Sequence, residues 1–391
     1  MLRSAFFCIS IALSGATSVA HADNAKPSEP VTNADVQRAL SLMPGPGNPR
    51  NSEGAFVQLN GGRILFVYSH FYEGRGGDHD PAYLAARFSD DGGRTWTDRD
   101  TAIVKNEGGM NVMSVSLLRL HDGRIALSYA QKNSMTDNRR VVRFSKDEAA
   151  TWSEPIKIIP DSELGYYSAN NDRLVQLRDG RLILPVAQHN GAATGTQTYG
   201  ELGLICAYLS DDGGRNWHRG RGSFYAENSK GERIIAQEPG VVQLKDDSVL
   251  MFMRTNAGFQ YFSSSHDGGE TWSKAVASTL RSPLSPASIK RIPSTGDLLV
   301  VWNDNYDPSA PGVTGGARTP FNTAISKDEG RTWINEKVLE NNPRGVYCYT
   351  AIEFVGNDLL LAHCAGIRPK TTGLGVTQIT RLPVSWLYDT K

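Results

Sequence analysis

Cysteine is scarce in this chain, and neither sign of charge is in excess. Four of its 391 residues are cysteine. Cys8 lies in an N-terminal apolar run, which leaves Cys206, Cys348 and Cys364. An odd number excludes a fully paired disulfide scaffold, and none stands at a C-x-x-C spacing that would hold zinc. His70, His189 and His363 also lack ligand spacing, so no metal and no other cofactor is expected. Lys+Arg and Asp+Glu are both 41, giving a formal charge of zero. That argues against nucleic acid as the main partner and leaves room for a small basic pocket. Beyond the N-terminus no apolar run is long enough to cross a bilayer, so membrane insertion is not expected. Helical periodicity is weak outside "NADVQRALSL" (Asn33–Leu42), which excludes a barrel needing eight helices.

The N-terminus has the form of an export signal. Arg3 supplies the positive start, Ala5 to Leu13 are mostly apolar, and "AHA" (Ala20–Ala22) has small residues where cleavage occurs. The expected organisation is a signal peptide over 1–22, a linker over 23–47 and one domain over 48–391, exported to the periplasm or the outside.

Repetition is what the chain has in quantity. "SDDGGRTW" (Ser89–Trp96) recurs as "SKDEAATW" (Ser145–Trp152), "SDDGGRNW" (Ser210–Trp217), "SHDGGETW" (Ser265–Trp272) and "SKDEGRTW" (Ser326–Trp333). A second repeat is an apolar strand, a tight polar turn and another apolar strand. Its turns and second strands run from "NGGRILFVY" (Asn60–Tyr68) to "GNDLLLAHC" (Gly356–Cys364). Six such hairpins, at roughly 60 residues per period, leave room for two more strands in each. The expected fold is all-β, a six-bladed β-propeller, with "RLPVSWLY" (Arg381–Tyr388) completing the first blade.

In a blade, the start of the first strand and the end of the second share one face near the axis. The Asp-containing turn, joining the two outer strands, belongs to the opposite face. The mouth is therefore expected to carry Glu53, Ser114, Asn171, Glu238, Pro286 and Tyr349, faced by residues such as His189, Arg254 and His363. Hairpin register pairs Glu238 with Arg254, Tyr349 with His363 and Cys348 with Cys364. Such a ring on rigid strands forms a polar binding pocket.

These features resemble the sialidase (neuraminidase) superfamily, whose Asp box reads S-x-D-x-G-x-T-W and whose fold is a six-bladed propeller. The resemblance covers nearly all of the chain beyond the signal. It implies a tyrosine nucleophile, an activating glutamate, an acidic acid/base and three arginines on a substrate carboxylate. "EPGVVQLKDDSVLMFMR" supplies Glu238 and Arg254, "ARTPFNTAIS" supplies Arg318, and "YTAI" supplies Tyr349 with Tyr347 beside it. "GDHDPAYLAARFS" supplies Asp78 as acid/base, with Asp80 close behind. The family's first arginine falls where this chain has Ser52 and Glu53, so a third arginine is missing or comes from Arg50 or Arg344.

The chemistry implied fits those residue types. A carboxylate nucleophile would be repelled by an anomeric carbon bearing its own carboxylate, so a neutral tyrosine is the better attacker. Its pKa of about 10 demands a nearby base. Arginine offers paired N–H donors to a carboxylate, which lysine cannot copy. Glu53, Asn171, Asp172, Arg173 and His189 complete the expected substrate contacts. The expectation is a monomeric exo-glycosidase acting on a terminal sialic acid or related acidic sugar with retention. Its rivals are hydrolysis of another acidic sugar (uronic or keto-deoxy) and a carbohydrate-binding propeller without turnover.

Overall fold

The computed structural model describes residues 36–309 and 315–389. The expected signal peptide lies outside the described residues. Six antiparallel sheets follow one another around an axis, as the repeat predicts. The first blade runs Arg50–Gln58, Ile64–Phe71, Ala82–Ser89 and Thr101–Val104 from axis to rim. In the third blade the inner strand is split into Tyr167–Ser168 and Val175–Gln176, both paired with Leu182–Gln188.

The ring closes differently from the expectation. The sixth blade consists of Gly345–Val355, Asp358–Ile367 and Thr377–Pro383, and its rim strand is the N-terminal Gln37–Leu42. The stretch expected to be a linker thus contributes a strand, and its faint helical pattern loses to a ready ladder partner. An unpaired edge of N–H and C=O groups is costly, and this strand covers it. "RLPVSWLY" belongs to the sixth blade rather than the first. Its latter half is a tight turn that buries Val384, Trp386 and Leu387 against the fifth and sixth blades.

The core is divided among the interfaces between blades. Leu65, Val67, Leu117 and Leu127 fill the first-to-second interface, and Phe56, Phe66, Leu360 and Ile379 fill the sixth-to-first. Alternate residues of each strand face opposite neighbours, which explains why the strands read as continuous apolar runs.

The Asp boxes link strand chemistry to blade packing. Asp91 Oδ1 accepts from the backbone N–H groups of Arg94 (3.0 Å) and Thr95 (2.9 Å), and Oδ2 accepts from Thr95 Oγ1 (2.7 Å). Partial burial opposes its charge, but these donors hold the carboxyl below the ordinary aspartate value. Trp96 packs 5.9 Å from Phe56 and 6.2 Å from Phe66, and its indole N–H bonds Gly93 O. The second glycine of the box meets the preceding blade. A Cβ on Gly93 would lie 2.7 Å from Leu360, and one on Gly269 would lie 2.4 Å from Ile183. Gly269 also has φ +92°, so Gly269→Ala combines backbone strain with overpacking. A loss of roughly 2–3 kcal/mol is expected, read as a lower urea midpoint. An unchanged midpoint would show that this close approach is not needed.

Candidate functional site

One device recurs at the axial end of the inner strands. Glu53 (φ 59°), Ser114 (φ 58°), Asp172 (φ 55°), Glu238 (φ 49°) and Tyr349 (φ 59°) all have left-handed backbone. In four of these blades the ladder breaks at that point, with two inner-strand residues opposite one partner. The breaks fall between Ser52 and Ala55, Met113 and Ser116, Gln237 and Gly240, and Cys348 and Ala351. In the fifth blade Pro286 precedes the inner strand Ser288–Arg291, and proline cannot adopt positive φ. Each non-glycine residue held this way costs roughly 1–2 kcal/mol. Strain repeated at one station of a scaffold is the kind that accompanies a functional site.

The bulges correct the expected register. Arg254 pairs with Gln237 instead of Glu238, and Tyr349 shares with Thr350 the place opposite His363. Cys348 does pair with Cys364, and both thiols are free. His363 is buried, with its ring 4.4 Å from Phe321, and does not reach the mouth.

A cleft of about 440 Å³ opens over this station, and Asp78, Arg254, Arg318, Arg344, Tyr349 and Arg368 are among the residues lining it. An adjoining chamber of about 70 Å³ shares Asp78 and Tyr349 and adds Glu53, Ser114, Lys132, Tyr166 and Glu238. Tyr349 is 9% exposed, and the Arg318 guanidinium lies 5.3 Å from its ring centroid. Burial raises the tyrosine pKa and Glu238 adds to the effect, while Arg318 and Arg254 oppose it. Arg318 also donates to Cys348 Sγ at 3.1 Å. Burial disfavours its charge, but Cys348, Tyr349 and Glu238 more than compensate and hold it protonated.

Arg254 donates to Gln237 Oε1 at 2.6 Å and places Nη1 3.1 Å from Glu238 Oε2. That second contact lacks hydrogen-bond geometry. Arg254 Nε and Nη1 and Glu238 Oε2 therefore have no hydrogen-bond partner among the described residues. Buried donors and acceptors left open at a cleft are available to a ligand.

Arg50 is the residue that departs most from the expected pattern. Its guanidinium donates to Ser52 Oγ (2.7 Å), Asp78 Oδ1 (2.5 Å) and Glu53 Oε1 (2.5 Å), and it is 1% exposed. Its fork is thus committed to protein carboxylates and offers no free edge to a substrate. Burial would raise the Asp78 pKa, but Arg50 and then Lys132 hold it below the ordinary value. Burial raises that of Glu53, against the pull of Arg50. Lys132 donates to Asp78 O at 2.7 Å, and burial lowers its pKa.

Other expected contacts lie elsewhere. Asn171 is buried and donates to Gly54 O (2.6 Å) and Tyr349 O (3.1 Å), which fixes the tyrosine's backbone and does not reach the cleft. Asp172 accepts from Ile352 N–H and Arg173 donates to Ala287 O, so both clamp inner strands around a separate axial cavity. Tyr347 is 2% exposed and packs 5.9 Å from Phe321, in the core. His189 sits one layer back. It bonds Ser168 Oγ and Gly200 O and stacks 4.9 Å from Tyr199, and burial lowers its pKa to about 4. Side chains alternate along a strand, so a one-residue shift moves each between cleft and core.

Sequence reasoning missed Lys132, Tyr166 and Arg368. Arg368 had a usable signal. The register that pairs Gly345 with Ile367, carried one step further, sets it beside Arg344. Among the described residues no group of His, Cys, Asp and Glu could hold a metal ion, and no helix is long and apolar enough to cross a membrane.

With this geometry in view, the chain was compared with known proteins. The family model described as "BNR repeat-like domain" matches residues 84–360. The chain is 26% identical over 317 residues to an anhydrosialidase of Macrobdella decora. That match covers 75% of this chain and 38% of the relative, so the chain spans well under half of the relative's length. Among solved structures, the NanB sialidase of Streptococcus pneumoniae superposes with a TM-score of 0.68 at 14% identity, covering 90% of this chain and 71% of that one. A protein of unknown function from Dyadobacter fermentans DSM 18053 gives 0.68 at 17% identity, covering 90% of this chain and 100% of that one. The repeated turns, six blades and family match agree: the chain belongs to the BNR repeat-like domain family, built as a sialidase-like propeller.

Proposed function

We propose that this protein is an exported glycoside hydrolase of the sialidase type, removing a terminal acidic sugar from a glycan with retention at the anomeric carbon. The observation that carries this reading is the convergence of Tyr349, Arg254, Arg318 and Asp78 on one cleft, with Glu238 in an adjoining chamber that Tyr349 also lines. Tyr349 Oη attacks the anomeric carbon while Glu238 takes its proton. Asp78 gives a proton to the leaving oxygen as the glycosidic bond breaks. Asp78 then takes a proton from water as that water attacks the anomeric carbon and the tyrosine–carbon bond breaks, and Glu238 returns its proton to the phenolate, which releases the sugar and restores both residues. Arg254 and Arg318 hold the substrate carboxylate, and Asn171 fixes the Tyr349 backbone through its carbonyl. The acidic groups around the cleft favour the positive charge of an oxocarbenium-like transition state.

A second reading rests on Arg50. Because its fork is taken up by Glu53 and Asp78, one arginine fewer is free on the cleft floor. That favours an acidic sugar whose carboxylate is held by two arginines, a uronic or keto-deoxy acid other than sialic acid. Fluorogenic sialic, keto-deoxy and uronic acid glycosides would be offered to the purified protein in parallel. Release from the sialoside supports sialic acid, and release from another acid alone supports the second reading. Glycan binding with no release from any substrate would leave a binding propeller instead. Secretion of the full chain, compared with a chain lacking residues 1–22, tests the export signal.

A further inference from the structure

Arg344, expected as one possible source of a third arginine, and Arg368 line the cleft with no role in the steps above. They flank the open end of the hairpin formed by Gly345–Val355 and Asp358–Ile367, the longest inner pair in the ring. The ladder continues past the Tyr349 bulge through Cys348 with Cys364 to Gly345 with Ile367. One step further, Arg368 N–H bonds Arg344 O at 3.0 Å, which holds the two residues side by side. Both are exposed, and neither side chain has an ion-pair or hydrogen-bond partner among the described residues. Both line the same cleft as Arg254, Arg318 and Tyr349. The one carboxylate in that lining, Asp78, is already paired with Arg50. A chain of zero net charge therefore gathers four arginines in one concave surface, where low-dielectric walls focus their field.

Distance separates the two pairs. Arg344 is five residues before Tyr349, roughly 15 Å along extended chain. The floor pair lies beside the tyrosine and would be occupied by the terminal sugar's own carboxylate. The rim pair branches from the hairpin several residues beyond Tyr349, so a substrate larger than one sugar can meet both pairs at once. In the proposed reaction the leaving-group oxygen lies at Asp78, which lines the same cleft as the rim pair. The group that departs thus shares its cleft with Arg344 and Arg368.

We infer that Arg344 and Arg368 form an anion subsite for the leaving-group side of the substrate. The preferred substrate is then an acidic sugar joined to a second sugar carrying a sulfate or carboxylate. This rests on the hydrolase reading above and adds the class of the neighbouring unit. Planar guanidinium forks suit both anions, and paired contacts give the rim its selectivity.

The test compares sialyllactose with sialyllactose sulfated on its galactose, for wild type and for the Arg344→Ala/Arg368→Ala double variant. Both positions are exposed, so folding is not at stake. Wild type is expected to favour the sulfated substrate by roughly five- to thirty-fold in kcat/KM at low salt, fading as salt rises. In the double variant that preference is expected to vanish. Equal rates on the two substrates for wild type, or a preference that survives the double substitution, would overturn the subsite. If wild type cleaves neither, the sialic acid reading fails separately. Calorimetric binding of the same two sugars then decides: tighter binding of the sulfated sugar that the double variant loses upholds the subsite, and equal binding overturns it.

Discussion

Tyr349→Phe is expected to lower kcat/KM for the cleaved glycoside by roughly 10³-fold or more, with little change in stability. The substitution removes one hydroxyl from a residue whose ring stays packed beneath Arg318 at 5.3 Å. Phenylalanine keeps the ring and the cation contact and cannot attack the anomeric carbon. Burial and Glu238 raise the pKa of this tyrosine, so the hydroxyl is protonated at rest and attack depends on Glu238 taking the proton. Binding of substrate should survive, because Arg254 and Arg318 are untouched. Initial rates and calorimetric binding on the same preparations check both halves. Full activity in the phenylalanine variant would remove the tyrosine from the mechanism, and binding lost along with activity would point to a misfolded cleft.

Asp78→Asn should divide substrates by the quality of their leaving group. A sugar alcohol leaves poorly without a proton, so cleavage of a natural glycoside is expected to fall by about 10²–10⁴-fold. An aryl leaving group needs less help. Its release should persist as a burst, after which turnover stalls because no base activates water. The pH dependence follows from the ion pair. Arg50 and Lys132 hold the Asp78 carboxyl below its ordinary pKa despite burial, so the free protein carries it ionised at neutral pH. Its acid role requires a proton, so cleavage of natural glycosides should speed up as pH falls. A bound sugar that excludes water from the carboxyl assists by raising its pKa. The stability that the Asp78–Arg50 pair contributes has the opposite dependence. It is complete above the ordinary aspartate pKa and is lost as pH falls through the lowered one. A profile for natural glycosides that is flat from acid to neutral pH would exclude Asp78 as the acid.

The scaffold was legible in the sequence because its rules are local. A turn of Ser, Asp, Gly and Thr satisfies its own backbone within a few residues, as Asp91 does with Arg94 and Thr95. Hairpin pairing follows from short turns, which is why Cys348 and Cys364 were matched correctly. Those two regularities were enough to count six blades, to expect the Asp boxes on the face away from the mouth, and to put Glu238, Arg254 and Tyr349 near it, while Arg318 and Asp78 came from the family resemblance.

Tertiary structure decided the rest. A bulge adds one residue to one strand, and neither strand's sequence announces it. That single residue moved Arg254 opposite Gln237, and it places Glu238 and Tyr349 in left-handed backbone. Contacts that loops and blades make at a distance are also silent in sequence. Arg50 meets Asp78 across 28 residues, and Asn171 meets the Tyr349 carbonyl across 178. Tyr347 and Tyr349 look equivalent as neighbours in "YCYT", yet one packs in the core and the other lines the cleft. Closure by Gln37–Leu42 belongs to the same class, since its partner strand lies at the far end of the chain. Hydrogen bonding between neighbours in sequence determined the repeat. Bulges within blades and packing between them determined which charges are paired, which are buried and which remain free to meet a substrate.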